Sequence, residues 1–222
     1  MPLYFNGNKI SDFYFGGTKI GEAWFNGQKV YSSVPPFVGI NYMFRDIDAD
    51  GNLTLATGAL EDASEITTIG AYGLYYAFYY CTGLTGNISF PNLTTINYRG
   101  LYSTFDGCTG LTGSVSFPSL TSIGDYGLNR TFYQCTGLTG SVSFPNLTSI
   151  GRYGLHSSFR GCTGLTNVSF PNLTTISSSG LRYAFQNCTG ITEVHFKSSL
   201  SGNSQCTASY MSCTNATIYF DL

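Results

Sequence analysis

Charged residues are scarce in this sequence. They make up 10% of its 222 residues, against about 25% in ordinary soluble domains. Ten Lys and Arg stand against twelve Asp and Glu, which gives a formal net charge of -2. Since binding to a phosphate backbone requires a basic stripe and this sequence has none, we expect no nucleic acid partner.

Long apolar runs and an export signal are missing as well. No stretch of about 18 apolar residues is available to span a bilayer, so we expect no membrane insertion. Residues 1–17 lack the basic start and apolar centre of a signal peptide, and we expect no export by that route. Seventeen Phe and seventeen Tyr supply enough apolar area to offset chain entropy, which argues against disorder.

Patterns for catalysis and for cofactor or metal binding are sparse. The two histidines, His156 and His195, lie in different repeats. Neither a Gly-x-Ser-x-Gly turn nor a Cys-x-x-Cys pair occurs, and no pair of acidic residues stands out. We therefore expect no enzymatic activity and no cofactor.

One segment matches the opening of a calcium loop. Asp46, Asp48 and Asp50 alternate and are followed by Gly51, the spacing with which carboxylates converge on one ion. Position twelve of such a loop needs a bidentate Glu and is Thr57 here. A solvated hairpin tip is the favoured interpretation, and calcium at the three aspartates is the weaker one.

Residues 3–32 divide into three ten-residue units, each with an aromatic pair, a two-residue turn and a Lys-aliphatic pair. The turns are Asn6-Gly7, Gly16-Gly17 and Asn26-Gly27, dipeptides typical of tight hairpins because both central residues need positive φ. We predict three hairpins in a small all-β module over residues 1–33. These decads resemble short modules of phage tail and virion proteins. The resemblance implies location in a virion and contacts with other virion proteins through residues 1–33. Since hairpin arms of about three residues are too short to be stable alone, we expect them to pack on one another or on another subunit, which favours a homo-oligomer, a trimer by analogy with virion fibres.

The rest of the chain repeats with a longer period. Cysteines fall at 81, 108, 135, 162, 188 and 213, at intervals of 27, 27, 27, 26 and 25. After a linker at 34–36, where paired prolines favour extended backbone, we assign residues 37–222 to a solenoid. Its repeats are 60–196, with an N-terminal cap at 37–59 and a C-terminal cap at 197–222, because neighbouring turns alone bury each turn of such an array.

Each repeat carries two patterns. The segment Ser-Val-Ser-Phe alternates with period two and predicts a strand with Val and Phe inward. The segment Gly-Leu-x-x-x-Phe-x-x-Cys places Leu, Phe and Cys at i, i+4 and i+7, which is typical of one face of a short helix. Together they predict an α/β solenoid of leucine-rich-repeat-like coils, each a strand plus a short helix. In the degraded last unit, Cys206 and Tyr210 stand where Leu and Phe stood.

The repeats resemble the bacterial surface-antigen type of leucine-rich repeat (BspA-like). The resemblance covers about residues 60–196 and rests on the Leu-Thr-x-Ile and Phe-x-x-Cys positions of the units, the first of these being followed by Gly in the units at 120–124 and 147–151. The units depart from that family in having Gly-Leu for Ala-Phe early in the predicted helix. The resemblance implies a bacterial cell-surface adhesin or a secreted interaction module.

The seven cysteines are expected to be buried and reduced. Equivalent positions of a solenoid lie about 5 Å apart in a ladder, where a buried thiol acts as a small apolar residue. A disulfide between Cys206 and Cys213 is the one alternative that the spacing leaves open.

Variation between the repeats is concentrated on one face. Its residues are Tyr72, Tyr75, Tyr76, Tyr79, Tyr80, Tyr98, Arg99, Tyr102, Tyr126, Arg130, Tyr133, Arg152, Tyr153, His156, Arg160, Arg182 and Tyr183. Tyr supplies large contact area at low entropic cost and Arg adds forked donors, so we predict that this face binds a host surface protein or glycan. The alternative is that it covers the solenoid or contacts a sister subunit.

Three functions are open at the level of sequence. The first is a non-enzymatic phage tail or fibre protein that recognises a receptor or glycan through the solenoid. The second is a bacterial cell-surface adhesin or a secreted interaction module. The third is a purely structural virion decoration protein without a ligand.

Overall fold

The computed structural model describes residues 66–86 and 88–221, and before them the backbone of eight short strands. These strands are Leu3–Phe5, Asn8–Ile10, Tyr14–Phe15, Thr18–Lys19, Glu22–Phe25, Gln28–Ser32, Arg45–Ile47 and Leu53–Leu55. They pair antiparallel two by two in chain order, and each of the first three pairs encloses one of the predicted two-residue turns. The predicted linker at 34–36 lies outside the described residues, and the domain boundaries stay predictions.

Two parallel sheets run along the solenoid. The first sheet has the strands Ile88–Ser89, Val115–Ser116, Thr139–Ser143, Gly164–Phe170, Glu193–Phe196 and Thr217–Tyr219. The second sheet has Thr68–Ile69, Thr95–Ile96, Ser122–Ile123, Ser149–Ile150 and Thr175–Ile176. Each strand pairs with the equivalent strand of the next repeat, as Val115 does with Val142. The leucine-rich-repeat-like solenoid is therefore confirmed, with a second strand per repeat that the sequence patterns did not predict.

The predicted short helix of each repeat is wrong. The segments 71–80, 98–107, 125–134, 152–161 and 178–187 are instead runs of consecutive turns, which together we call the turn ribbon. Every second N–H donates to a carbonyl of the next repeat, as Leu101 N does to Gly127 O at 2.8 Å, and those between donate three residues back. A residue with positive φ recurs at every fourth position, which interrupts any α-helix. The helices among residues 66–86 and 88–221 are the 3-10 helix Ser198–Leu200 and the α-helix Ala208–Met211, and neither could cross a membrane.

The ribbon and a helix bury the same sequence positions, which explains the wrong prediction. Because the ribbon repeats its conformation every four residues, Leu101 and Phe105 both point inward and are fully buried, with Cys108 below them. A pattern of i, i+4 and i+7 fits either structure. The neighbouring repeat decides between them, because its carbonyl groups accept hydrogen bonds from alternate N–H groups of the ribbon. An isolated segment has no such acceptors.

Two columns of stacked phenylalanine fill the core. One column comes from the ribbon and consists of Phe78, Phe105, Phe132, Phe159 and Phe185. The other lies at the ends of the first-sheet strands or directly after them and consists of Phe90, Phe117, Phe144, Phe170 and Phe196. All ten side chains are at most 2% exposed. Successive ring centroids lie 5.2 to 5.9 Å apart with interplanar angles of 19° or less. Each contact adds about 0.5–1.5 kcal/mol to simple area burial. The same residue type is favoured in every repeat, because each ring stacks on the ring at the equivalent position of the neighbouring repeat.

The cysteine ladder is confirmed. All seven thiols are buried and free, so Cys206 and Cys213 are not bridged. Ladder thiols donate to the carbonyl of the preceding repeat, as Cys135 Sγ does to Phe105 O at 2.9 Å. Burial raises the pKa of Cys135 and of Cys188 to about 12, which removes the reactive thiolate at neutral pH.

A C-terminal closure ends the array. The second sheet stops at Thr175–Ile176 while the first continues. Gln205 takes the place of the missing strand: its Nε2 donates to Ile176 O at 3.3 Å and Ser177 O at 3.0 Å. Phe185 N donates to Met211 O, and Met211 is fully buried. Met211, rather than the expected Tyr210, therefore closes the phenylalanine column.

We expect thiol-specific labelling at pH 8 to leave the native chain unmodified, because all seven thiols are buried and burial raises the pKa of the six from Cys108 to Cys213. Seven thiols should react after unfolding in guanidinium chloride, which serves as the control. Rapid native labelling of any cysteine would contradict the buried ladder. Five thiols instead of seven in the unfolded, unreduced chain would indicate a Cys206–Cys213 disulfide.

Gln205→Ala should lower the free energy of unfolding by about 1–3 kcal/mol, because backbone groups of the last full repeat lose their partner. Chemical denaturation measures the loss. Leu181 N donates to Gln205 Oε1 at 3.5 Å, so faster hydrogen exchange at the Leu181 amide should show that the loss is local. Asn215→Ala is the matched control, since Asn215 is exposed in the same closure. Equal stability of the two variants would show that Gln205 does not close the sheet.

Candidate functional site

The turn ribbon displays large side chains at backbone positions that usually favour glycine. Positive φ recurs at fifteen ribbon positions, of which only Gly107 and Gly161 are glycine. Those two have a reason in packing: a Cβ at Gly107 would lie 3.0 Å from the ring of Tyr80 in the preceding repeat. Six of the other thirteen are Tyr and two are Arg, although a left-handed conformation costs an ordinary residue about 1–2 kcal/mol.

The structure brings all the predicted binding residues together on the outer surface of this ribbon. Tyr72, Tyr75, Tyr76, Tyr79 and Tyr80 lie in its first segment; Tyr98, Arg99 and Tyr102 in the second; Tyr126, Arg130 and Tyr133 in the third; Arg152, Tyr153, His156 and Arg160 in the fourth; Arg182 and Tyr183 in the fifth. We call this surface the Tyr/Arg face. It lies on turns rather than on the predicted helices.

Tyrosine rings form a continuous chain across four repeats. The centroid of Tyr72 lies 5.3 Å from that of Tyr98, which lies 6.2 Å from Tyr126. Tyr126 in turn stacks on Tyr153 at 5.0 Å. Tyr80 at 57% and Tyr72 at 43% are the most exposed. The rings support one another and still present edges and hydroxyls to solvent.

Arginine side chains are interleaved with these rings. The guanidinium carbon of Arg99 lies 5.2 to 5.8 Å from the centroids of Tyr72, Tyr98, Tyr102 and Tyr126. Tyr133 has Arg130 at 4.1 Å and Arg160 at 5.4 Å. Such cation–π contacts contribute about 0.5–1 kcal/mol each at exposed sites. They fix the planes of the guanidinium groups and hold the charges at the surface.

One carboxylate lies beneath the face. Asp106 is 1% exposed, and its Oδ2 accepts from Arg130 Nη2 at 3.1 Å and Nε at 3.2 Å. Burial raises the pKa of Asp106 above its ordinary value of 3.8 although Arg130 lowers it. Sequence patterns do not predict this pair, because the two residues occupy different positions of successive repeats.

His156 adds a ring to the face rather than a charge. It lies edge-on to Tyr153 at 5.4 Å and to Tyr183 at 5.8 Å. Burial, followed by the positive charge of Arg182, lowers the pKa of His156. The imidazole is therefore neutral at neutral pH, and the positive charge of the face comes from its arginines.

Tyr210 extends the face and was not predicted. It lies beside Arg182, Tyr183 and Ser209 at a shallow recess, and its carbonyl accepts from Tyr183 N. The interval of 25 residues before Cys213 was the one sign that this unit departs from the register.

Metal binding has no further support in the described part of the chain. No group of three or more His, Cys, Asp or Glu is placed to hold an ion among residues 66–86 and 88–221. Of the calcium candidates, Asp46 lies in the strand Arg45–Ile47, and Asp48 and Asp50 lie outside the described residues. Calcium binding there stays a prediction.

Comparison with known proteins identifies the repeats. A family model for the BspA type leucine rich repeat region matches in six copies, over residues 67–200 and 128–220. A solved leucine-rich repeat protein from Bacteroides ovatus aligns with 90% of this chain and 67% of its own, at 16% identity and a TM-score of 0.26, a likeness too low to carry an argument. No curated protein matches. The predicted resemblance of the repeats is confirmed, whereas that of the decads to virion modules has no support.

Asp106→Asn should remove a pH dependence of stability. Because the folded carboxyl takes up its proton at a higher pH than the unfolded one, the free energy of unfolding of the wild type relative to the variant should rise as pH falls from neutral, and level off below 3.8. Denaturation at a series of pH values measures this. Arg130→Gln should enlarge the rise, since it removes the cation that opposes it. A difference independent of pH would contradict the buried carboxylate.

Proposed function

Because this chain belongs to the BspA-type leucine-rich repeat family, we propose that it is a non-enzymatic recognition protein of a bacterial cell surface. That family is associated with bacterial cell-surface proteins. The chain binds a surface protein or glycan through the Tyr/Arg face. The virion setting, its tail-protein contacts through residues 1–33 and the trimer stay predictions from the decads alone.

The observation that carries the proposal is the set of side chains held at positive φ. A ribbon with only a structural role would favour glycine or asparagine at these positions. Of the thirteen ribbon positions that have positive φ and are not glycine, eight are Tyr or Arg and one is Asn. The strained positions therefore display the residue types that dominate binding surfaces. Backbone strain concentrated on a displayed surface supports a functional role for that surface.

The rest of the repeat supports the choice of face. The outward positions of the first sheet hold Ser116, Ser143 and Ser169, and two of these hydroxyls lie 3.1 Å apart, Ser143 Oγ and Ser169 Oγ. They offer little contact area. The Tyr/Arg face instead combines large rings with forked donors on a rigid scaffold, which limits the entropy lost on binding.

The test is binding of the purified chain to whole bacterial and epithelial cells and to a glycan array. The variant Tyr72→Gly/Tyr126→Gly/Tyr153→Gly removes three rings at positions where glycine fits the backbone, so the fold should survive; circular dichroism checks this. We expect binding to fall at least tenfold. Ser116→Gln/Ser143→Gln, on the first sheet, is the control and should bind as the wild type does.

Three outcomes would overturn the proposal. Undiminished binding by the glycine variant would exclude the Tyr/Arg face, and binding lost only in the serine variant would move the site to the first sheet. No binding by the wild type to any cell or glycan would favour a purely structural protein. In that case, an oligomer seen by light scattering that the glycine variant disrupts would identify the face as a contact between copies.

A further inference from the structure

We infer that the ligand of the Tyr/Arg face is an acidic polysaccharide, whose carboxylate or sulfate groups bind the arginines while its hydroxyl groups contact the ring edges and phenolic hydroxyls of the tyrosines. This inference rests on the proposed function and names the ligand class of the same site. Three features support it: where the charges lie, what the guanidinium groups already bind, and the succession of arginines along the solenoid axis.

Positive charge is segregated on one side of the solenoid. Residues 66–86 and 88–221 contain six Lys and Arg, and five of them are the ribbon arginines; the sixth, Lys197, lies before the 3-10 helix Ser198–Leu200. The ribbon carries two carboxylates, Asp106 and Asp125. Glu193 and Asp221 flank His195 at the end of the first sheet, away from the ribbon. A chain with a net charge of -2 thus presents a positive face.

Most of the guanidinium groups have unused donors. Among residues 66–86 and 88–221, Arg130 is the one ribbon arginine that pairs with a carboxylate. Arg152 and Arg182 are exposed, and in the described part of the chain the one side-chain hydrogen bond of their guanidinium groups runs from Arg182 Nη2 to Tyr183 Oη at 3.1 Å. A guanidinium group has five donors, and an anionic oxygen is their strongest partner. These two exposed groups can therefore bind the anionic oxygens of an acidic ligand.

Each of four successive segments contributes an arginine to the face, at a different position of the segment, and this succession along the solenoid axis suits a long ligand. Arg99, Arg130, Arg160 and Arg182 lie in four successive segments, so they span roughly 15 Å at a spacing of about 4.8 Å per repeat. Tyrosine rings accompany them at every level from Tyr72 to Tyr183. A linear polysaccharide with periodic acidic groups can contact several repeats at once, and its affinity grows with chain length.

A polysaccharide fits better than a nucleic acid. Most contacts between neighbouring rings are edge-on, such as Tyr72 to Tyr98 at 81° and Tyr98 to Tyr126 at 84°. Single-stranded nucleic acids need open ring faces on which successive bases stack, and here the rings cover one another. Ring edges and phenolic hydroxyls suit the hydroxyl groups of sugars, and the modest excess of positive charge suits a polymer with fewer charges than nucleic acid.

The experiment measures binding of the chain to hyaluronan (carboxylated), heparin (sulfated), dextran (neutral) and double-stranded DNA by calorimetry. We expect binding to hyaluronan or heparin, none to dextran, and weaker binding at 1 M salt, where the Debye length is about 3 Å. Arg152→Gln and Arg182→Gln should each weaken binding about tenfold, the value of one charged hydrogen bond. Lys197→Gln removes the same charge away from the ribbon and should bind as the wild type does.

The outcomes separate this inference from the proposed function. One outcome is that the wild-type chain binds cells, the Tyr72→Gly/Tyr126→Gly/Tyr153→Gly variant does not, and the wild type binds no acidic polysaccharide. In that case the inference is overturned and the recognition function stands. If nothing binds the wild type, both fail. If Lys197→Gln weakens polysaccharide binding as much as the arginine variants do, the binding is unspecific charge attraction and the inference is overturned. Tighter binding to DNA than to either acidic polysaccharide would also overturn it and would identify nucleic acid as the ligand class.

Discussion

The structure depends on one constraint: each repeat can satisfy its backbone and bury its side chains only against the repeats on either side. Hydrogen bonds cross between repeats on all three sides, in the two parallel sheets and in the turn ribbon. Because these bonds fix the register, a position faces its own counterpart 26 or 27 residues away in the regular repeats. Stability is therefore close to a sum over neighbouring interfaces.

The inner columns barely vary because each of their residues contacts the equivalent residue of the neighbouring repeats. A phenylalanine stacks on the same residue above and below, and a ladder thiol donates to the carbonyl of the preceding repeat. Polar columns follow the same rule: Asn146 Nδ2 donates to Pro118 O at 2.7 Å and Thr148 Oγ1 to Thr121 O at 3.0 Å. A change in one repeat disturbs two interfaces, so variation is confined to positions that point outward.

The ribbon converts this constraint into a display surface. Alternating N–H groups bind within the ribbon and across it, so its backbone is satisfied without a helix, and one residue in four is held with positive φ. The strain is distributed over positions whose side chains lie at the surface, where rings and guanidinium groups contact one another across repeats. A rigid scaffold and a variable, closely spaced set of Tyr and Arg side chains are thereby obtained from one repeating unit.

The sequence by itself determined the period, the buried columns, the reduced cysteines and which residues share the variable face, because each follows from spacing and burial. Tertiary structure decided what spacing leaves open. It replaced the predicted helix with the ribbon, added the second strand, put Met211 in the place expected for Tyr210 and paired Asp106 with Arg130. The physical reason is common to all four: the hydrogen-bond acceptor, the packing partner or the counter-ion of each residue belongs to a neighbouring repeat, more than twenty residues away along the chain, and local patterns carry no record of it.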